Sequence, residues 1–132
     1  MAPAAMAWNR WQHPIKALDA AMALAADHHT VVAVSGAIDH LTDGKRLVRI
    51  HNGHPWLTRI TGSGCALGAL MAGFAAVTDD PLCAAAAATA TLTIAADTAA
   101  TRSSGPGSFA VALIDSLENL QPDALARAVQ LI

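Results

Sequence analysis

The spacing of hydrophobic and polar positions changes several times along the chain, and each change marks an element. In HPIKALDAAMALAADHH, Ile15, Leu18, Met22 and Ala25 fall on one helical face. TVVAVSG is a short apolar, β-branched run closed by glycine, which predicts a buried strand. AIDHLTDGKRLVRIHNGHP then reads as two strands around an Asp43-Gly44 turn. On the second arm Leu47, Arg49 and His51 alternate with Val48 and Ile50. WLTRI follows the Asn52-Gly53 turn and is expected to add another short strand.

After Gly64 the period becomes helical, with Leu67, Leu70, Met71 and Phe74 in register. Most other positions there are Ala or Gly, so this helix can lie close to a neighbour. TDDP closes it. Residues 82–101 predict a second helix, dominated by alanine, and SSGPGS a loop. Ser108 is the expected N-cap of a third helix lined by Phe109, Leu113, Leu117 and Leu120. Pro122 opens a last short helix carrying Leu125, Val129 and Ile132. One helix, about three or four strands, then helices only: the order is α/β. It contains no internal repeat and no linker. A sheet this small leaves an edge unpaired unless something covers it, so the chain reads as part of a larger sheet.

Composition narrows the picture. The 132 residues suffice for one domain with a sizeable core. Hydrophobic residues make up 54% and charged residues 14%, which argues against disorder. The net charge of -2, with no basic run, argues against a nucleic-acid partner. The start, MAPAAMAWNRWQHP, lacks the continuous apolar core of a secretory leader. The run CAAAAATATLTIAAD is expected to be too short for a membrane span, and Asp97 interrupts it. Cys65 and Cys83 match no disulfide or zinc spacing, which fits a reducing cytoplasm.

The chemistry concentrates in TRITGSGCALGALMAGF, residues 58–74. A glycine-rich turn followed by a helix start makes an anion site: the free N–H groups point outward and the helix dipole favours negative charge. Gly62 and Gly64 permit a tight turn and close approach of a ligand. The same dipole favours a thiolate, and Cys65 is placed there. Structural readings stand beside this one. Glycine-rich turns are common packing devices, and a buried cysteine is usually a small hydrophobe. Gly62, Gly64 and Gly68 form GxGxxxG, which is not the dinucleotide fingerprint, and no P-loop is present. His51, His54 and Cys65 raise the idea of a metal site, but histidines in turns are more often solvated or hydrogen-bonded, so no metal site is expected. Trp8 and Trp11 read as cover for the core, or as a partner-binding patch.

Taken in order, the SG-x-x-D strand end, NGHP, and TGxGC with its helix, followed by GPGSFAVALIDSL, closely resemble the hydroxyethylthiazole kinase family over roughly residues 15–120. The resemblance implies a ribokinase-like fold and phosphorylation of the hydroxyl of 4-methyl-5-(2-hydroxyethyl)thiazole in thiamine biosynthesis, with ATP and Mg2+. It implies that Cys65 accepts the hydroxyl proton. Gly62 then contacts the thiazole and Ser35 contacts ATP. The backbone amides of Ser63 and Gly64 complete an anion hole. Family enzymes are trimers with sites at subunit boundaries, so self-association is expected.

The resemblance departs before residue 15. Residues 1–14 match none of the family's amino-terminal half, which carries the remaining sheet, most of the thiazole pocket and the carboxylates near magnesium. Residues 15–132 therefore read as the carboxy-terminal half, with a partial central sheet and flanking helices. A fragment, a mis-called start, a split gene and a decayed copy all remain open. So does a non-catalytic role, either as a nucleotide-binding remnant or as a partner subunit paired with a separate amino-terminal half.

Overall fold

A computed structural model describes residues 14–131. The chain opens with α1 (Pro14–His28). His29 ends this helix in the left-handed region, at φ 50°, and the Thr30 amide reaches back to the Ala25 carbonyl at 3.1 Å. That is a Schellman closure with histidine in the usual glycine place. It turns the chain directly into β1 (Val32–Val34), which pairs antiparallel with β2 (Asp39–Thr42), and β2 pairs with β3 (Leu47–Ile50). Thr42 is central to the register, facing Val32 on one side and Leu47 on the other.

The hairpin forms at the Asp43-Gly44 turn, as the alternation predicts. Asp43 Oδ1 accepts from the amides of Lys45 and Arg46, at 2.9 and 2.7 Å. Gly44 takes φ 88°, and a Cβ there would lie 2.7 Å from the Ala26 backbone nitrogen. Glycine thus serves both the turn and the close approach of the hairpin to α1.

Two expectations for the strands need correction. WLTRI is not a strand: Pro55–Arg59 is a 3-10 helix. Pro55 has no N–H to give a ladder, and the His54 side chain accepts from the Trp56 amide, which starts a helical turn instead. The end of β3's outer edge is also bridged already. Ile50 bridges to Leu131, and the His51 amide donates to the Gln130 carbonyl at 3.1 Å. β1 is likewise not the buried strand that its apolar run predicts. Val32 and Val34 are half-buried and Ala33 is exposed, because β1 is an edge strand among the described residues.

Four helices follow: α2 (Ser63–Ala75), α3 (Pro81–Thr101), α4 (Pro106–Asn119) and α5 (Pro122–Ala128). α4 starts before the expected N-cap. Its first residue is Pro106, whose fixed φ suits that position, and Ser108 lies inside the first turn. Ser108 Oγ still accepts from the Ser104 amide at 3.1 Å. α5 is short, and Val129 lies just past its end. Trp8, Trp11 and Ile132, together with residues 1–13 at large, fall outside the described residues.

α3 is the core. Twelve of its 21 residues are buried, on all sides, as a central helix requires. One side packs on the sheet through Leu82, Ala85 and Ile94 against Leu41 and Ile50. The other packs Leu92, Ala95, Ala96 and Ala99 against Phe109 and Leu113 of α4, with Leu67 and Leu70 of α2 alongside. Its buried threonines stay satisfied: Thr89 and Thr93 donate to carbonyls four residues back, at 2.9 and 2.8 Å. The expectation that this run is too short for a membrane fails on length, since a helix of 21 residues reaches about 30 Å. Packing is what places it: 67% of its most apolar stretch is buried inside the domain.

An exposed ionic link fastens the hairpin to the start of α3. Asp80 caps α3, accepting from the amides of Leu82 and Cys83 at 3.0 and 3.3 Å. Arg46 grips the same carboxylate with both terminal nitrogens, at 2.7 and 3.0 Å, and holds Asp43 through Nε at 2.7 Å. The Arg46 guanidinium, followed by the Cys83 amide, lowers the Asp80 pKa to about 2. Amides of Arg46 and Lys45 hold Asp43 well below the usual carboxylate range. Both groups are depressed in the folded state, so their contribution is present above the ordinary carboxylate pKa and lost as pH falls through the folded value. Thermal unfolding followed between about pH 5 and pH 2 should show a falling midpoint, with a smaller fall in Arg46→Gln. An equal fall in both proteins would remove this link from the account.

Candidate active site

The site grows out of the turn after β3. Gly53 leads to His54, whose Nδ1 accepts from the Trp56 amide at 3.2 Å and whose carbonyl accepts from the Leu57 amide at 3.0 Å. The His54 ring packs against Trp56 and Phe109, with centroids 4.7 and 5.8 Å away. His54 is therefore a helix cap in an aromatic cluster. No group of three His, Cys, Asp or Glu side chains suited to a metal occurs among the described residues.

The chain extends through Ile60 and turns at Gly62 into α2. Gly62 is the N-cap, at φ 91°, a conformation that other residues reach only with strain. The first helical bond runs from the Ala66 amide to the Gly62 carbonyl, at 2.8 Å. The amides of Ser63, Gly64 and Cys65 precede it and find no acceptor among the described residues. No acidic residue occupies this first turn, so the positive end of the helix dipole is not neutralised by the protein. Ser63 Oγ donates to the Leu57 carbonyl at 2.8 Å, which pins the first turn to the 3-10 helix. Cys65 is exposed on that turn. Gly64 is helical, and a Cβ there would meet nothing within 4 Å.

Ser35 lies one residue past β1 and is exposed. Beside it, the Asp39 carboxylate accepts from the Gly36 amide through Oδ1 at 3.0 Å. Asp39 is buried; burial pushes its carboxyl up, against this hydrogen bond and nearby His40. The SG-x-x-D motif is thus a closed turn fastened by its aspartate. The structure brings Gly62, Ser63, Gly64 and Cys65 together on one helix end. Ser35 sits on another element, and no hydrogen bond joins it to Cys65. Val31 and Ala33, just before and within β1, line one groove of about 260 Å³ with Met71 and Ala75 of α2.

Three side-chain roles escaped the sequence reading. His54 acts as a cap, and the His-Pro pair was a legible signal of a helical start. Ser63 acts as an anchor through its side chain. Asp97, visible only as an interruption of an apolar run, accepts from the Gly53 amide at 3.0 Å.

The two glycines should behave oppositely when tested. Gly62→Ala places a side chain in the left-handed region and is expected to cost about 1–2 kcal/mol. Gly64→Ala meets open space in a helix and is expected to stabilise by about 0.5–1 kcal/mol. Urea unfolding of both variants checks this. A destabilising Gly64→Ala would mean that the fold itself needs glycine there.

The chain was compared with known proteins. The model of the Hydroxyethylthiazole kinase family matches residues 10–123. A hydroxyethylthiazole kinase of Clavibacter sepedonicus is 59% identical over 115 residues, which is 87% of this chain and 42% of that protein. One from Cutibacterium acnes is 50% identical over 107 residues, covering 81% of this chain and 39% of its own. The solved hydroxyethylthiazole kinase structure from Pyrococcus horikoshii superposes with a TM-score of 0.85 at 36% identity, over 94% of this chain and 48% of that one. The chain spans less than half the length of these relatives. With a ribokinase-like α/β fold and a family match over most of its length, it belongs to the hydroxyethylthiazole kinase family.

Proposed function

We propose that this chain carries the phosphate-receiving end of a kinase that phosphorylates the hydroxyl of 4-methyl-5-(2-hydroxyethyl)thiazole from ATP. One observation carries the reading: three amides without a partner among the described residues share the start of α2 with an exposed thiol, at a Gly64 with open space beside it. The substrate oxygen attacks the γ-phosphorus while Cys65 Sγ, as thiolate, takes its proton and becomes the thiol, and the bond from that phosphorus to ADP breaks. Charge on the transferring group is received by the amides of Ser63, Gly64 and Cys65. Gly62 lies against the thiazole, and Ser35 meets ATP. Similarity to named hydroxyethylthiazole kinases at up to 59% identity supports the kinase reading.

Mg2+ is implied by the family as the companion of ATP. The described residues do not fit it: no three ligating side chains gather, and the first turn of α2 lacks a carboxylate. On its own the chain is expected to turn over little substrate. That same lack favours a second reading, nucleotide binding without catalysis.

Assembly is part of the proposal. Ala66, Leu70 and Phe74 of α2, with Val77 just past its end and Leu117, line an open apolar groove of about 650 Å³, and Val111 and Ile114 are exposed nearby. Together with a β1 edge unpaired among the described residues, this supports self-association as a trimer, or pairing with a chain that supplies the rest of the sheet. Two exposed free thiols suit a cytoplasmic setting.

A coupled ADP-release assay tests the reading, with thiazole alcohol, ATP and magnesium. The chain is assayed alone, and again after mixing with the portion of the Clavibacter sepedonicus enzyme that it does not cover. Mixing should restore turnover, and Cys65→Ala should lower kcat by about 10²-fold or more with little change in ATP affinity. ATP binding without turnover in the mixture would favour the non-catalytic reading. Light scattering on the same preparations should show assemblies larger than a monomer, and a monomer at every concentration would contradict the assembly proposal.

A further inference from the structure

Asn52 is buried, and both ends of its side chain are engaged inside the protein. Nδ2 donates to Asp97 Oδ2 and to the Ala128 carbonyl, each at 3.1 Å. Oδ1 accepts from the Gln130 amide at 2.7 Å. Asp97 Oδ1 accepts from the Gly53 amide at 3.0 Å. A single Asn–Asp pair thus ties together the end of β3, the buried helix α3 and the tail after α5.

From that pair a run of hydrogen bonds leads to α2. Gly53 is fixed by Asp97, and the next residue, His54, caps the 3-10 helix through its ring and its carbonyl. Leu57, inside that helix, accepts from Ser63 Oγ. Ser63 is the first residue of α2 and one of the three with a free amide. We propose that Asp97, with Asn52, is a positioning residue for phosphoryl transfer: it fixes the Gly53–Leu57 turn, and through Ser63 the aim of the α2 amides. The kinetic side of this inference rests on the kinase reading above; the mechanical side does not.

The choice of aspartate fits this role. Asp97 receives donors at both oxygens, Asn52 at one and Gly53 at the other. An asparagine there must turn its NH2 against one of these donors. Asp97→Asn is nearly isosteric and opens no cavity, so it removes the hydrogen bond without disturbing α3 packing.

Native-state amide exchange on the full chain tests the mechanical claim. In Asp97→Asn, peptides spanning Gly53–Ala66 should exchange about tenfold faster, while α4 peptides stay within about twofold of wild type. Unchanged exchange at 53–66, or an equal rise in α4 with a lowered melting temperature, overturns the proposal. The kinetic arm uses the mixed enzyme described above. There Asp97→Asn should lower kcat by about tenfold or more while KM for ATP stays within about twofold. Faster exchange with unaltered kcat overturns the link to phosphoryl transfer. If the wild-type mixture shows no turnover, the kinase reading falls, and the exchange arm still decides whether Asp97 holds the loop.

Discussion

The burial of α3 is the constraint on which this domain depends. A helix rich in alanine presents little bulk, so neighbours can approach it from every side. The sheet packs on one flank through Leu41 and Ile50, and α2 and α4 on the other through Leu67, Leu70 and Phe109. The same helix passes length and apolarity tests for a membrane span, yet here it meets protein on most of its surface. Its threonines return their hydroxyls to their own backbone, which leaves little for the interior to satisfy. Asp97 is the one ionisable carboxylate along α3, and it points its bonds at the turn that precedes the site.

Site geometry therefore descends from the core by short steps. α3 fixes the turn after β3, the turn starts the 3-10 helix, and Ser63 fastens α2 to that helix. α2 itself has no fully buried residue, yet it lies along α3 and packs Leu67 and Leu70 against the core. A helix backed by the core and pinned at its first turn suits a site where free amides must point at a ligand. The cost is an apolar outer face with no cover among the described residues.

Much of this was legible in the sequence. The Asp43-Gly44 hairpin, the change of period at Gly64 and the proline that opens α5 each carry a local signal, and each element forms where the signal stands. The helix-start position of Cys65 followed from the same local logic. The errors are of two kinds. Some were local and avoidable: Pro55 after His54 announced a helical turn, and Pro106 suited a helix start better than Ser108 did. Others were tertiary. No pattern in TVVAVSG reveals that β1 ends as an edge strand, and none in WLTRI reveals that the tail near Gln130 already bridges the end of β3. Asp97 belongs to the second kind, since its partners lie 44 and 45 residues away. The relation of Ser35 to Cys65 was likewise beyond any local motif.

The central claim is that the start of α2 receives the phosphates of a nucleotide. Amide chemical shifts of the isotope-labelled chain, titrated with ATP, address it without requiring turnover. The account predicts that Ser63, Gly64 and Cys65 shift most, with Ser35 next, and that inorganic phosphate reproduces the α2 part of the pattern. Shifts that saturate elsewhere while these three amides stay still would contradict it.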